Sequence, residues 1–144
     1  EFFYKWYSTY PGINYIVNDA PMPDGKQLWF RVEVEHRLFA GFCVFDPNAE
    51  SEEGHGDQVD EYDDATVKAV GHYLKISAAD HKDWWATWWY LPAGEQKPND
   101  SVPNFKIMND AAIALADKEC RSEFVSLCVR NIEEMVERVL AIPE

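Results

Sequence analysis

The chain has 144 residues, of which 47% are hydrophobic and 15% aromatic, and its 26 acidic against 13 basic side chains give a net charge of −13. Such a chain is too apolar to be disordered, and its apolar runs are too often interrupted by charge for a membrane-spanning helix. The length suits one domain with a sizeable core. We therefore predict a single soluble domain over residues 1–144, located in the cytoplasm.

The N-terminal region is rich in aromatic residues and ends at the turn signal Pro11-Gly12. It lacks the basic segment and cleavage site of a signal peptide. Because the chain begins at Glu1 rather than Met, we expect a fragment of a longer protein or a processed product. Residues 13–17 read as a short strand, and the turn-forming sequence PMPDGK over 21–26 separates it from the next element.

Residues 27–46, QLWFRVEVEHRLFAGFCVFD, predict a central β-hairpin. In the first arm, alternation places Leu28 and Phe30 on a buried face and Trp29, Arg31 and Glu33 toward water. The second arm, 38–45, is apolar at nearly every position, which is typical of a strand covered on both faces. The polar pair 36–37 is short enough to connect the arms.

The excess negative charge is concentrated in one segment, the acidic stretch 46–64, which contains no Lys or Arg and nine acids: Asp46, Glu50, Glu52, Glu53, Asp57, Asp60, Glu61, Asp63 and Asp64. Elsewhere 17 acids face 13 bases. With Pro47 and two glycines and no apolar period, the stretch predicts a long surface loop. Its charge repels phosphate, so direct duplex binding by this domain is disfavoured.

A helix is predicted after Asp63 or Asp64, with apolar positions at 67, 70 and 74. The sequence DWWATWWYL over 83–91 favours a strand, in which Trp84, Ala86, Trp88 and Tyr90 would share one face. We interpret this tryptophan run as sheet packing, and any exposed member as part of an interface.

Two C-terminal helices are predicted. The first is capped by Asn109 or Asp110 and extends to about Asp117. The second runs from near Ser122 to Ala141, and its apolar stripe consists of Val125, Cys128, Ile132, Met135 and Val139.

No catalytic or metal-binding constellation emerges from the residue patterns. Cys43, Cys120 and Cys128 are interpreted as reduced core thiols, because their number is odd and no CxxC pair exists. Glu33 with Asp24 superficially matches the acids of metal-dependent nucleases, but the lysine of that motif is replaced by Glu35, so we interpret Glu33 as part of a solvated strand face. No catalytic residue, metal or cofactor is predicted.

The pattern LWFRVEVEHRLFAGFCVF, followed by an acidic loop, a helix, DWWATWWYL and a helical pair, resembles the region downstream of the catalytic core in bacterial proteins of the PD-(D/E)XK nuclease superfamily. The resemblance covers residues 11–141. It implies that the catalytic Asp and Glu-x-Lys would lie upstream of Glu1, and that this chain is a non-catalytic accessory domain, whose partner is the rest of its own longer chain.

The alternative is a stand-alone acidic protein-binding module, an immunity protein or nucleic-acid mimic, that docks on a basic protein surface through the acidic stretch. A stand-alone hydrolase would need a catalytic group at Cys43, His36 or Glu33. We predict an α+β fold with an antiparallel sheet around the hairpin and the C-terminal helices on one face. The candidate binding residues are Asp46, Glu50, Glu52, Glu53, Asp57, Asp60, Glu61, Trp84 and Trp88.

Overall fold

The computed structural model describes residues 2–3, 12–17, 25–49, 57–59, 63–64, 70 and 85–140. The elements follow in chain order as β1 (Phe2–Phe3), β2 (Gly12–Ile16), β3 (Gln27–Val34), β4 (Leu38–Asp46), β5 (Asp57–Gln58), β6 (Thr87–Tyr90), α1 (Asp110–Ala114) and α2 (Lys118–Leu140). The predicted α+β class is confirmed.

The predicted hairpin is confirmed as the centre of the sheet. β3 and β4 pair antiparallel from Gln27 opposite Phe45 to Val34 opposite Leu38. The connection is one residue longer than predicted, because residues 35–37 all lie outside the ladder, and the Glu35 N–H donates to the Arg37 carbonyl at 3.1 Å.

All pairings between the described strands are antiparallel. The order is β1-β2-β3-β4, and the far edge of β4 is shared by β5 at its C-terminal end and β6 at its N-terminal end. β4 therefore has partners on both edges, and its residues 40–44 are buried, which confirms the prediction of a strand covered on both faces.

One face of the sheet, called the core face here, carries the hydrophobic core. Leu28 and Phe30 of β3 pack there with alternate residues of β4, and the rings of Phe30, Phe42 and Trp89 lie within 5.3–6.1 Å of one another. Ala86, Leu91 and Val70 are buried in the same cluster. Period-two alternation in β3 and β4 creates this face, because residues two apart project to the same side.

Helix α2 covers the core face, as predicted for the C-terminal helices. It begins at Lys118, four residues earlier than expected, because the Asp117 carboxylate accepts hydrogen bonds from the N–H groups of residues 119 and 120 at 2.8 and 3.0 Å. Phe124 joins the stripe that packs on the core, whereas Val125 is 51% exposed, so its assignment to the stripe was wrong. Cys128, Ile132 and Met135 do pack there.

The shorter helix α1 confirms the predicted cap. The side chain of Asn109 accepts a hydrogen bond from the Ala112 N–H at 3.1 Å. The same Oδ1 accepts from the Asn104 N–H at 2.8 Å, and the amide donates to the Val102 carbonyl at 3.1 Å. Asn109 thus joins the helix to the preceding turn, and α1 ends at Ala114 rather than near Asp117.

The helix predicted after Asp63 falls mostly outside the described residues, although Val70 is helical and buried in the core as expected. The prediction of a long surface loop over 46–64 was wrong in one respect: residues 57–58 form β5, and Val59 packs against the core. Among the described residues, none of the helices combines the length and apolarity needed to cross a bilayer.

Candidate functional site

The sheet face opposite the core face, called the second face here, carries the polar and aromatic side chains of the hairpin. Trp29, Arg31 and Glu33 project there from β3, because they alternate with the core residues. The predicted exposure of this face was wrong: only 8% of Glu33 is exposed, and the Arg31 side chain is 17% exposed. The Arg31 Nε and a Glu33 carboxylate oxygen form an ion pair, which compensates in part for the burial of both charges.

Burial dominates the electrostatics of Glu33. Removal from water raises the pKa of this carboxyl above its ordinary value of 4.5, the neighbouring Arg31 opposes the shift, and Glu35 adds a small increase. The protonated form of Glu33 is thus more favoured in the folded chain than in the unfolded one. Near neutral pH, ionisation of the buried carboxyl lowers the stability of the fold.

The thiol of Cys43 is buried and has low reactivity. It lies on the second face at 2% exposure, and burial raises its pKa to about 12. A thiol with such a pKa is almost entirely protonated near neutral pH and is a poor nucleophile. The interpretation of Cys43 and Cys128 as core thiols is confirmed, while that of Cys120 was wrong, because Cys120 is exposed on α2.

The tryptophan run confirms a strand but breaks its predicted alternation. Trp88 and Tyr90 share the second face as expected, and Trp89 turns to the core face. Before β6 the alternation between the two faces shifts by one residue: Ala86 lies in the core, and Trp85 packs with Trp88 around the ring of Phe39. A one-residue irregularity of this kind makes the side chains that precede it project to the opposite face of the sheet.

The shift assembles an aromatic cluster at the hairpin-loop end of β4, formed by Phe39, Trp85, Trp88 and Tyr90. The centroid of the Phe39 ring lies 5.6, 6.2 and 6.5 Å from those of the other three, at interplanar angles of 65°, 73° and 78°. Trp88 and Tyr90 stand at 90° with centroids 5.1 Å apart. These edge-to-face arrangements are the ones that ring quadrupoles favour. All four side chains are half-buried, so the cluster is accessible to solvent.

Gly41 permits this approach. It is a residue of β4 that pairs with Trp88 of β6, and a Cβ atom at this position would overlap the Thr87 carbonyl oxygen and lie 2.7 Å from Cε3 of Trp85. The glycine thus leaves room for β6 and for the Trp85 ring at the same point of the sheet.

A basic side chain already contacts the cluster. The guanidinium carbon of Arg37, in the hairpin loop, lies 5.7 Å from the centroid of the Tyr90 ring. This distance falls within the range of a cation–π interaction.

Of the predicted binding residues, Trp88 belongs to the cluster. Asp46 and Asp57, the predicted binding acids that the structure describes, lie at the other end of β4. Asp46 is its last residue and accepts a hydrogen bond from the Asn48 N–H at 2.8 Å. The backbone of Asp57 pairs opposite Asp46. Further along the acidic stretch, Asp63 forms an ion pair with Lys26 at 3.9 Å. The other predicted residues lie outside the described part of the chain: Glu50, Glu52, Glu53, Asp60, Glu61 and Trp84.

The structure therefore separates two surfaces that the sequence analysis combined. Phe39 and Asp46 are seven positions apart on one extended strand, which corresponds to roughly 23 Å at about 3.3 Å per residue. A small ligand cannot contact both. Sequence reasoning missed Phe39, Tyr90 and Arg37 as members of a site, although the period-two pattern of the second arm could have grouped the phenylalanine with Trp88.

Within the described residues, no group of three His, Cys, Asp or Glu side chains is arranged to hold a metal ion. Comparisons with protein-family models, with curated proteins and with solved structures found no match to this chain.

Proposed function

We propose that this chain is a non-catalytic interaction domain, and that it serves as an accessory part of a bacterial nuclease-like protein of the PD-(D/E)XK superfamily. The observation that supports the proposed interaction role is the aromatic cluster, four large rings gathered on the sheet face opposite α2 and partly exposed to solvent. Aromatic side chains contribute large contact areas at little entropic cost, and accessible clusters of them are typical of protein contact sites.

The second half depends on the sequence resemblance of residues 11–141. It assigns the contact to the rest of the same longer chain, in which the catalytic Asp and Glu-x-Lys would precede Glu1. The chemistry of Cys43 agrees with a non-catalytic role, since its buried thiol has a pKa of about 12.

The test begins with the source DNA upstream of the codon for Glu1. We expect an open frame that encodes a strand-borne Asp followed by Glu-x-Lys, and Mg²⁺-dependent DNA cleavage by the full-length protein. Within that protein, Trp88→Leu should weaken cleavage or thermal stability more than Trp29→Leu, a matched change at the opposite end of the second face. A start codon directly before Glu1, or equal effects of the two changes, would contradict the accessory role.

A second candidate, an acidic module that docks on a basic protein, is favoured by the charge distribution. Residues 46–64 hold nine acids and no Lys or Arg, and such a concentration of negative charge accelerates association with a positively charged surface.

The second candidate is tested by charge removal in the acidic stretch. Changing Glu50, Glu52 and Glu53 to Gln should slow association with polylysine at low salt by about tenfold or more, with a smaller effect on dissociation. The matched control changes three helical acids, Glu133, Glu134 and Glu137, to Gln. If both sets slow association equally, net charge alone is responsible, and the docking role of the stretch is refuted.

A further inference from the structure

The turn that leads into α1 displays apolar side chains that the chain itself leaves uncovered. Phe105, Ile107 and Met108 lie in this turn and Ile113 follows on α1, and all four are exposed, Ile107 by 70%. These four residues are called the apolar turn surface here. Large apolar side chains that are exposed close together, unlike those scattered singly, mark contact surfaces.

We propose that the apolar turn surface is a contact between two copies of this chain, related by a two-fold axis that passes near Met108. This inference goes beyond the proposed accessory role and does not depend on it.

The rigidity of the turn is the first argument. The buried Asn104 accepts hydrogen bonds at its Oδ1 from the N–H groups of Lys106 and Ile107, at 3.0 and 3.3 Å. The Phe105 N–H donates to the His36 carbonyl of the hairpin loop at 2.7 Å. Because an exposed segment that is already held in one conformation loses little entropy when it is covered, this turn is preorganised for a contact.

The backbone of Met108 is the second argument. Its φ of 50° lies in the left-handed region, which glycine adopts readily and a side chain of this size only at a cost in free energy. The Met108 side chain is 52% exposed, so packing inside the domain offsets little of that cost. A second surface that covers the methionine gives a reason for a large apolar residue at this position.

The charges beside the apolar residues are the third argument, and they select a second copy as the partner. Lys106 and Asp110 are the only charged residues over 104–113, and they lie two positions on either side of Met108. Neither joins an ion pair with another described residue. A two-fold axis near Met108 brings the lysine of each copy toward the aspartate of the other, so the surface is self-complementary.

The neutrality of this segment supports the same partner. Residues 104–113 have a net charge of zero on a chain that carries −13. Two copies repel each other where negative charge is in excess, and this repulsion is smallest where the surfaces that meet are neutral. A basic partner would instead be attracted to the acidic stretch 46–64.

The first experiment measures the mass of the 144-residue chain by sedimentation equilibrium. We expect 16.7 kDa at low concentration. The mass should rise toward twice that value between about 1 μM and 1 mM, the concentration range of a small, weak interface. A chain that remains at the monomer mass throughout this range would overturn the proposal.

An apolar substitution locates the contact. Ile107→Ser should raise the Kd of the dimer by about a hundredfold or more, because the change occurs twice across a two-fold axis. The matched control Ile13→Ser removes an exposed isoleucine from β2 and should leave the Kd unchanged. A dimer that survives Ile107→Ser, or that both changes weaken equally, forms elsewhere and would overturn the proposal.

Charge reversal tests the two-fold pairing. Lys106→Asp and Asp110→Lys should each raise the Kd by about tenfold, since like charges then face each other, and the double variant should return it to within about threefold of wild type. Overall charge alone predicts the opposite for Asp110→Lys, because this change makes the chain less negative. A tighter Asp110→Lys dimer, or a double variant no tighter than the single ones, would overturn the proposal.

Discussion

Replacing Asn131 with alanine should destabilise the protein by removing a hydrogen bond between α2 and the sheet. The Asn131 Oδ1 accepts a hydrogen bond from the indole Nε1 of Trp89, a side chain that is only 2% exposed. Without the acceptor, the indole N–H loses its partner, and an unsatisfied buried donor costs about 1–3 kcal/mol. For a domain of this size, each kcal/mol lowers the melting temperature by roughly 2–4 °C.

The measurement is urea unfolding followed by far-ultraviolet circular dichroism, with Ser126→Ala as the control on the exposed side of α2. The control should change the free energy of unfolding by no more than about 0.5 kcal/mol. Trp89→Phe and the double variant complete a cycle, for which we expect a coupling of about 0.5–1.5 kcal/mol. The reasoning is refuted if Asn131→Ala costs no more than Ser126→Ala, or if the two changes at the pair are additive.

Three further predictions concern the second face of the sheet. Because the pKa of Glu33 is raised by burial, its contribution to stability is present below about pH 4.5 and is lost as pH rises through the folded pKa. The free energy of unfolding of Glu33→Gln minus that of wild type, measured by urea titration, should therefore increase from pH 4 to 7, even though the variant lacks the ion pair with Arg31. A decrease of this difference over the same pH range would contradict the prediction. Gly41→Ala should cost about 1–3 kcal/mol or more in the same assay, because the new Cβ would overlap a β6 carbonyl oxygen; an unchanged midpoint would disprove the close approach. In the native protein Ellman's reagent should modify Cys120 rapidly and Cys43 only after unfolding, and equal rates would show that the second face opens readily.

The local elements of this fold were predictable, because each depends on residues close together in the chain. Alternation in 27–34 and the apolar run 38–45 predicted the β3–β4 hairpin, and the cap at Asn109 predicted the start of α1. Where the local signals were weaker the boundaries moved: Asp117 caps α2 four residues before the predicted start, and the hairpin loop has three residues rather than two.

The candidate site was only partly predictable, because its members meet through strand pairing across distant parts of the chain. The sequence singled out the tryptophan run and the acidic stretch, but it could not show that β6 pairs with the N-terminal end of β4 while Asp46 is at the other end. That pairing brings Trp88 beside Phe39 and keeps both far from the acids. The offset before β6, which places Trp85 in the cluster, has no clear signature in a run of similar aromatic residues.

The sequence by itself determined the secondary structure around the hairpin, most of the apolar stripe of the last helix and the negative charge of the chain, since these follow from periodicity and composition. Only the tertiary structure decided the environment of the second face. Arg31 and Glu33 alternate with core residues and therefore look solvated in sequence, yet they are largely buried and paired with each other. The physical reason is that alternation fixes the side of a strand to which a residue points, whereas what lies on that side depends on the packing of the whole chain.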